Sequence, residues 1–253
     1  MLALVLLALS GAAALAGDGG AGSGGSTTGG SLAHTLARIM HSAGGSNAAL
    51  VVLDGARRRT IFAHRAGTPR ILASNTKLFT TAAGLARFGS RIARLLKRIL
   101  LPSNNQLAQA LSNRLGHGSP GRGAREAARY ARSLGAHAHL VDGSGLSRRN
   151  QAAPQEVVDL LRGMERAKNF RLWAGALPRA GVSGTLRGRM RGTSASHRCT
   201  AKTGTLVDVS TLSGYCRTLH GHRVIFSILM NRVRVRAAQA AQDRMLAHIV
   251  RDG

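Results

Sequence analysis

The positions of apolar residues divide the chain into extended and helical segments. Short apolar runs typical of strands lie near both ends of the chain, and runs with helical spacing lie between them. The predicted strands cover residues 48–53, 60–64, 199–206, 209–217 and 224–230, and predicted helices begin near residues 31, 74, 91, 106, 124, 154 and 236. Because distant strands must then pair, we expect an α/β fold, with an antiparallel sheet flanked by helices and a helical portion inserted.

The N-terminal segment differs in composition from the rest of the chain. Residues 1–16 form an apolar run ending in Ala-Leu-Ala, which is typical of a secretory signal peptide and short for a membrane span, although no positive charge precedes it. Residues 17–30 are rich in Gly, Ser and Thr, as in flexible linkers. An uncleaved core helix is the alternative for the first run. We therefore expect export of a single domain spanning residues 31–253.

The chain is strongly basic, with 36 Lys and Arg against 10 Asp and Glu and a net charge of +26. Such a field attracts polyanions, including nucleic acid, anionic lipid and the acidic polymers of a cell envelope. Aromatic residues that could stack on bases make up only 3% of the chain, and the arginines are spread along it. We therefore expect no nucleic-acid partner, and we keep anionic envelope polymers as a partner class beside a simply arginine-rich solvated surface.

Two cysteines flank the hairpin predicted at residues 199–217. A turn at Val207-Asp208 places Cys199 and Cys216 at equal distances from its centre, so they face each other across antiparallel strands. A cross-strand disulfide is therefore a candidate, and it would suit an oxidising compartment. Two small buried thiols remain the alternative.

Ser74 and Lys77 stand three positions apart at the start of a predicted helix, which puts both side chains on one face. A serine nucleophile needs a base, and a buried lysine can lose its proton whereas an arginine cannot. Only four of the 36 basic residues are lysines, at positions 77, 97, 168 and 202. A chain that otherwise uses arginine therefore has lysine where an ionisable amine is needed. Alone, an S-x-x-K pattern is more often an ordinary helix start.

Two further motifs follow in order. S-x-N at 103–105 places a second serine and an amide at a helix start, and K-T-G at 202–204 places a cation and a hydroxyl on a strand, where they can hold a carboxylate. Gly204 leaves room for a substrate against the strand edge, and the backbone N–H of Thr205 can point at an oxyanion. S-x-x-K, S-x-N and K-T-G in this order are the motif set of penicillin-binding proteins and β-lactamases.

The sequence resembles the D-alanyl-D-alanine carboxypeptidase/endopeptidase family, the class C low-molecular-mass penicillin-binding proteins of peptidase family S13. The similar segments are ASNTKLFTTAA, PSNNQLAQAL, VDGSGLSRRN, LPRAGVSGTL and AKTGTLVDVSTLSGYC, within residues 46–250. The resemblance implies a β-lactamase/transpeptidase-like fold with a helical subdomain. It also implies a serine-type carboxypeptidase/endopeptidase that acts on peptidoglycan stem peptides, is acylated by β-lactam antibiotics and needs no cofactor.

The resemblance also implies a role for individual residues. Ser74 would be the acylated nucleophile, Lys77 its general base, and Ser103 the relay of a proton to the leaving D-alanine. Asn105, Lys202, Thr203, Gly204 and Thr205 would bind the substrate, the backbone N–H groups of Ser74 and Thr205 would form the oxyanion hole, and Ser144, Leu146 and Arg148 would line the pocket for the peptide's side chain.

One departure from the family pattern concerns the segment between the first two motifs. Family members usually carry long inserted domains there, whereas Ser103 follows Ser74 by only 29 positions, with the break near residues 88–90. A catalytically impaired protein of the same fold that binds anionic envelope polymer is therefore an alternative function. A class A β-lactamase is another, although Glu126, Glu156 and Glu165 lack the E-x-x-L-N context of its deacylating base. An esterase with the same serine and lysine is a third.

Other chemistries have weaker support. The H-x-H pairs at 137–139 and 220–222 have no carboxylate cluster beside them, so we expect no metal site. The ten acidic residues are scattered, which disfavours a two-carboxylate glycosidase.

Overall fold

The computed structural model describes residues 27–57 and 59–253. The predicted signal peptide and residues 17–26 of the predicted linker lie outside the described residues. The helices are α1 (Thr27–Ala43), α2 (Thr76–Phe88), α3 (Ala93–Leu100), α4 (Asn105–Leu115), α5 (Pro120–Ser133), α6 (Pro154–Met164), α7 (Phe170–Ala174) and α8 (Val235–Asp252). The strands are β1 (Ala48–Asp54), β2 (Thr60–His64), β3 (Arg70–Ile71), β4 (Ala138–His139), β5 (Gln151–Ala152), β6 (Cys199–Leu206), β7 (Val209–Arg217) and β8 (Arg223–Asn231).

The main sheet has five antiparallel strands in the order β2-β1-β8-β7-β6. Strand β1 pairs with β8 from Ala48 opposite Met230 to Asp54 opposite Val224, so the two ends of the chain close the sheet. A small second sheet has the order β3-β5-β4. The predicted α/β fold, an antiparallel sheet flanked by helices, is therefore confirmed.

Both faces of the main sheet are covered, which explains why β1 is apolar at almost every position. Val51 and Leu53 point into a core formed mainly with α2 and α6, while Leu50 and Val52 point into a second core formed with α1 and α8. All seven residues of β1 are buried. Burial of side chains on both faces of this strand gives a continuous apolar run instead of the alternation of a half-exposed strand.

Helices α2, α4 and α5 form the predicted helical portion. Gly84 lets α2 approach α4, since a Cβ there would lie 2.8 Å from Leu111. Gly123 lets α5 approach α4, since a Cβ there would lie 1.8 Å from the carbonyl oxygen of Ser112. Every residue of α2 from Thr76 to Leu85 is buried, so this helix is the centre of the portion and carries the first motif at its start.

Four predicted helix starts differ from the structure by two to four residues, and that of α3 lies at Ala93 instead of residue 91. Helix α1 begins at Thr27 instead of Ser31, so residues 27–30 are helical instead of linker. Each of the two glycines in this first turn costs about 1 kcal/mol relative to alanine, and the amphipathic segment that follows can outweigh that cost. Helix α5 begins at Pro120 because the hydroxyl of Ser119 accepts from Arg122 N–H (3.4 Å) and proline suits a first turn. Helix α2 begins at Thr76, after a 3-10 turn over Ala73–Asn75.

The structure contains the candidate disulfide between β6 and β7. Cys199 lies opposite Cys216 in the strand register, and the two sulfur atoms are bonded. Within residues 27–57 and 59–253, none of the helices is long and apolar enough to cross a membrane. In the same part of the chain, the His, Cys, Asp and Glu side chains form no group of three that could hold a metal ion.

Candidate active site

Ser74 lies in the 3-10 turn that leads into α2, half-buried against the main sheet. Strand β7 holds this turn through two hydrogen bonds: Thr211 Oγ1 donates to the Leu72 carbonyl oxygen (2.9 Å), and Asn75 Nδ2 donates to Ser213 Oγ (2.8 Å). Ala73, directly before the serine, has a φ of +47°. This left-handed conformation is unfavourable for alanine, and such strain occurs most often at functional sites.

Lys77 is fully buried one helical turn after Ser74. Its Nζ donates to Ser74 Oγ (2.9 Å), to Asn105 Oδ1 (2.7 Å) and to the carbonyl oxygen of Ser144. Burial lowers the pKa of Lys77 to about 8, although the charge of Asp142 acts in the opposite direction. An amine with this pKa is partly neutral near neutral pH, so it can accept a proton from the serine beside it.

A second serine–lysine pair joins the other two motifs. Lys202 Nζ donates to Ser103 Oγ (2.8 Å) and to the carbonyl oxygen of Thr203 (2.8 Å). Ser103 has a φ of +59°, so its backbone is also in the left-handed region. Burial, and after it the charge of Lys77, lower the pKa of Lys202 well below its usual range. The two lysines are therefore close enough to influence each other, and the three motifs form one site.

Helix α4 begins at this site because Asn104 caps it. Asn104 Oδ1 accepts from the backbone N–H of Leu107 (2.8 Å). The cap lies between Ser103, which meets Lys202, and Asn105, which meets Lys77. The S-x-N motif therefore connects the two lysines through one capped helix start.

Strand β6 is last in the order of the main sheet, and the described residues cover only part of its outer edge. Ala180 N–H donates to the Cys199 carbonyl oxygen and Ala201 N–H donates to the Pro178 carbonyl oxygen, so residues 178–180 cover the first half of the edge. Backbone groups alternate in direction along a strand, so those of Thr203 and Thr205 point to the same outer side. The edge beyond Ala201 can therefore accept an extended peptide as an added strand.

Gly204 has a different role from the one we expected. A Cβ at this position would lie 2.2 Å from Thr211 Oγ1 and 2.9 Å from both the Leu72 carbonyl oxygen and the Ser74 nitrogen. The missing side chain therefore makes room for the turn that carries Ser74, instead of for a substrate at the strand edge. Gly204 thus lies in the predicted site, and the expectation that it leaves room for a substrate was wrong.

Two residues of the site were missed at the level of sequence. Asp142 is half-buried, and its oxygens accept from the backbone N–H groups of Ser144 (2.7 Å), Gly145 (2.6 Å) and Ser147 (2.8 Å) and from the Ser144 hydroxyl (2.9 Å). Burial alone would raise the pKa of Asp142, but these donated hydrogen bonds hold it below its usual range. Asp142 therefore fixes the loop whose Ser144 carbonyl meets Lys77. The other missed residue is Thr185, whose hydroxyl lies 2.7 Å from the Thr203 hydroxyl.

The three residues predicted to line a side-chain pocket lie in different settings. Ser144 is buried under Lys77 and hydrogen-bonded to Asp142, so its contacts are internal to the site. Leu146 is 60% exposed. Arg148 forms an ion pair with Asp208 in the β6–β7 turn, at 2.7 Å. A role for these three residues in binding a peptide side chain stays a prediction.

The chain is similar to one protein family and to two curated carboxypeptidases. The model of the D-Ala-D-Ala carboxypeptidase 3 (S13) family matches residues 90–250, which include S-x-N and K-T-G and begin after Lys77. A D-alanyl-D-alanine carboxypeptidase of Actinomadura sp. (strain R39) is 39% identical over 171 residues, which are 61% of this chain and 32% of that protein. D-alanyl-D-alanine carboxypeptidase DacB of Haemophilus influenzae is 29% identical over 153 residues, 54% of this chain and 31% of that protein. The matched regions thus span about a third of these relatives.

Solved structures share the fold. Penicillin-binding protein 4 (dacB) from Haemophilus influenzae, in complex with a β-lactam, has a TM-score of 0.75 at 14% identity, covering 85% of this chain and 98% of that chain. A class A β-lactamase from Bacteroides cellulosilyticus has a TM-score of 0.73 at 14% identity, covering 89% and 99%. At these identities the likeness supports the fold alone, and the fold is that of penicillin-binding proteins and β-lactamases.

Proposed function

The chain belongs to the D-Ala-D-Ala carboxypeptidase 3 (S13) family, and on that premise we propose that it is a serine-type D-Ala-D-Ala carboxypeptidase/endopeptidase. Its substrates would be peptidoglycan stem peptides, and β-lactams would acylate it covalently. The single observation that carries this proposal is the contact between Lys77 Nζ and Ser74 Oγ (2.9 Å), made by a buried amine with a pKa of about 8.

The reaction begins with proton transfer. Neutral Lys77 takes the proton of Ser74 Oγ, and the serine oxygen forms a bond with the carbonyl carbon of the penultimate D-alanine. The negative charge that develops on the carbonyl oxygen is stabilised by the backbone N–H groups of Ser74 and Thr205. The outward direction of the Thr205 backbone and the closeness of the Ser74 nitrogen to strand β6 support this assignment.

The leaving group needs a proton and its carboxylate needs a binding site. Ser103 passes a proton to the amine of the terminal D-alanine as the C–N bond breaks, and Lys202, bonded to Ser103 Oγ, can replace that proton. The charge of Lys202 and the hydroxyl of Thr203 bind the terminal carboxylate. D-alanine departs, and the acyl-enzyme on Ser74 remains until water hydrolyses it. In a β-lactam the leaving nitrogen stays attached to the acyl group, so the adduct persists.

We also propose that the protein is exported, because stem peptides lie outside the cytoplasmic membrane. The apolar segment at residues 1–16 and the disulfide, a feature of oxidising compartments, support this location.

Release of D-alanine from a short peptide ending in D-Ala-D-Ala tests the proposed activity. We expect Ser74→Ala to lower the rate at least about 1,000-fold, as for other serine nucleophiles. Lys77→Arg is the matched variant for the base, since it keeps the positive charge but cannot lose its proton, and it should be similarly inactive. Release that continues unchanged in Ser74→Ala would overturn the proposal.

A further inference from the structure

A cavity of about 760 Å³ lies beside the start of strand β6, and its lining includes none of the residues of the three motifs. Strand β6 and the end of β7 form one wall, and the segment that pairs with the edge of β6 forms the other. The charged lining residues are Arg179, Arg198 and Arg217, joined by His197, and the hydroxyls of Ser183 and Thr200 also line the cavity. We call this cavity the arginine pocket.

Among the residues that the structure describes, no Asp or Glu lines the arginine pocket. Elsewhere in the described part of the chain, arginines such as Arg148, Arg189 and Arg223 are paired with acidic residues. Among residues 27–57 and 59–253, none of the three pocket arginines has such an ion pair. Three arginines therefore line one concavity, and none of them has an acidic partner among the described residues.

The backbone holds these arginines close together at a free-energy cost. Arg217 N–H donates to the Arg198 carbonyl oxygen (2.9 Å), so the two residues are neighbours on adjacent strands, where like charges destabilise the sheet. His197 has a φ of +62°, a strained conformation outside glycine that often marks functional sites. Arg179 Nε donates to the His197 carbonyl oxygen (2.9 Å), which orients the third guanidinium.

We propose that the arginine pocket binds phosphate groups of a polyanion. Guanidinium groups recognise phosphate through paired, charge-assisted hydrogen bonds. Three arginines on three segments of chain, beside the hydroxyl-bearing Ser183 and Thr200, suit the several oxygens and the multiple charge of phosphate better than a single carboxylate. The arginines are exposed, so a polymer can reach them without any opening of the fold. This site is separate from Ser74 and does not depend on the proposed peptidase activity.

Binding of an end-labelled inorganic polyphosphate, followed by fluorescence anisotropy at about 0.15 M salt, tests this proposal. The variant Arg179→Gln/Arg198→Gln/Arg217→Gln should bind at least about tenfold more weakly, since it loses three charge-assisted contacts. The matched control is Arg94→Gln/Arg125→Gln/Arg236→Gln, which removes three exposed arginines from α3, α5 and α8 and leaves the pocket intact. It should stay within about twofold of the parent protein.

Further comparisons of variants and polymers separate phosphate binding in the pocket from a general effect of charge. If both triple variants lost the same affinity for polyphosphate, binding would depend only on net charge. If the parent protein bound poly-L-glutamate as tightly as polyphosphate, the pocket would not select phosphate. Either result overturns the proposal. The charge-reversing single variant Arg198→Glu, checked for folding by circular dichroism, covers the case of an unstable triple variant and should also bind weakly. Polyphosphate binding should be unchanged in Ser74→Ala, which separates this site from the proposed peptidase.

Discussion

Gly204 lies where strand β6 passes the turn that carries Ser74. Gly204→Ala would place a Cβ against Thr211, the Leu72 carbonyl and the Ser74 nitrogen, so the strand or the turn must move. We expect the free energy of unfolding to fall by about 1–3 kcal/mol, as in overpacked cores, and acylation by penicillin to slow. Gly188→Ala is the matched control, because a Cβ there meets nothing within 4 Å. Chemical denaturation checks both variants, and equal stabilities would contradict this account.

Asp142 affects Lys77 through charge and through the loop that it holds. Burial lowers the pKa of Lys77 and the negative charge of Asp142 raises it, and the net value is about 8. Because Asp142→Asn removes that charge, the pKa of Lys77 should fall further. The rise in penicillin acylation rate with pH, which follows deprotonation of Lys77, should then have its midpoint below about 8.

The matched control for this prediction is Asp159→Asn, which removes a carboxylate paired with Arg162 on α6, outside the hydrogen bonds of the site. Its acylation midpoint should equal that of the parent protein. If the midpoint of the acylation rate against pH stayed in place or moved upward in Asp142→Asn, the prediction would be wrong, and Asp142 would have only a structural role in its loop.

Single residues also show what the sequence could reveal about the site. Ser74, Lys77 and Lys202 were predicted from spacing and from the scarcity of lysine, and the structure brings them together. Asp142 was missed because its importance comes from backbone N–H groups that only the folded loop brings towards it. An aspartate followed by Gly-Ser-Gly is a typical loop acceptor, so this signal was present.

At the scale of elements, the capped start of α4 contributes to the stability of the fold and also holds residues of the candidate site. Asn104→Ala removes the helix cap and should lower the free energy of unfolding by about 1 kcal/mol. It should also slow penicillin acylation, because Asn105 and Ser103 flank the cap and contact the two lysines. Ser119→Ala removes the cap of α5, away from the site, and should lower stability without slowing acylation. Equal acylation rates in the two variants would contradict the link between cap and site.

The elements themselves were predictable to different degrees. Strands β1 and β8 follow most directly from the sequence, because both of their faces are buried and their apolar runs are almost continuous. The short strands β3, β4 and β5 were missed, since two-residue strands carry no periodic pattern. The start of α5 was missed because Gly121 and Gly123 suggested a loop, whereas Gly123 is there for close contact with α4.

At the scale of the whole molecule, the short connection between the first two motifs still brings them together. Residues 89–104 fold as a 3-10 turn, helix α3 and the cap of α4, and they return Ser103 and Asn105 to the lysines. Longer family members carry inserted domains between the first two motifs, so it was open whether this short segment could still bring the motifs together. The sequence alone could not answer that question, because the separation of Ser74 and Ser103 along the chain does not give their distance in space. The main sheet and the helical portion hold both motifs without an inserted domain.

Intact-mass measurement of the protein after exposure to benzylpenicillin tests the central claim most directly. The claim is that Ser74, activated by Lys77, is an acylated nucleophile. We predict a mass increase of one penicillin per chain in the parent protein, no increase in Ser74→Ala, and formation at least about 100-fold slower in Lys77→Arg, since arginine cannot act as the base. An adduct of the same mass that forms equally fast on Ser74→Ala, or none on the folded parent protein, would contradict the account.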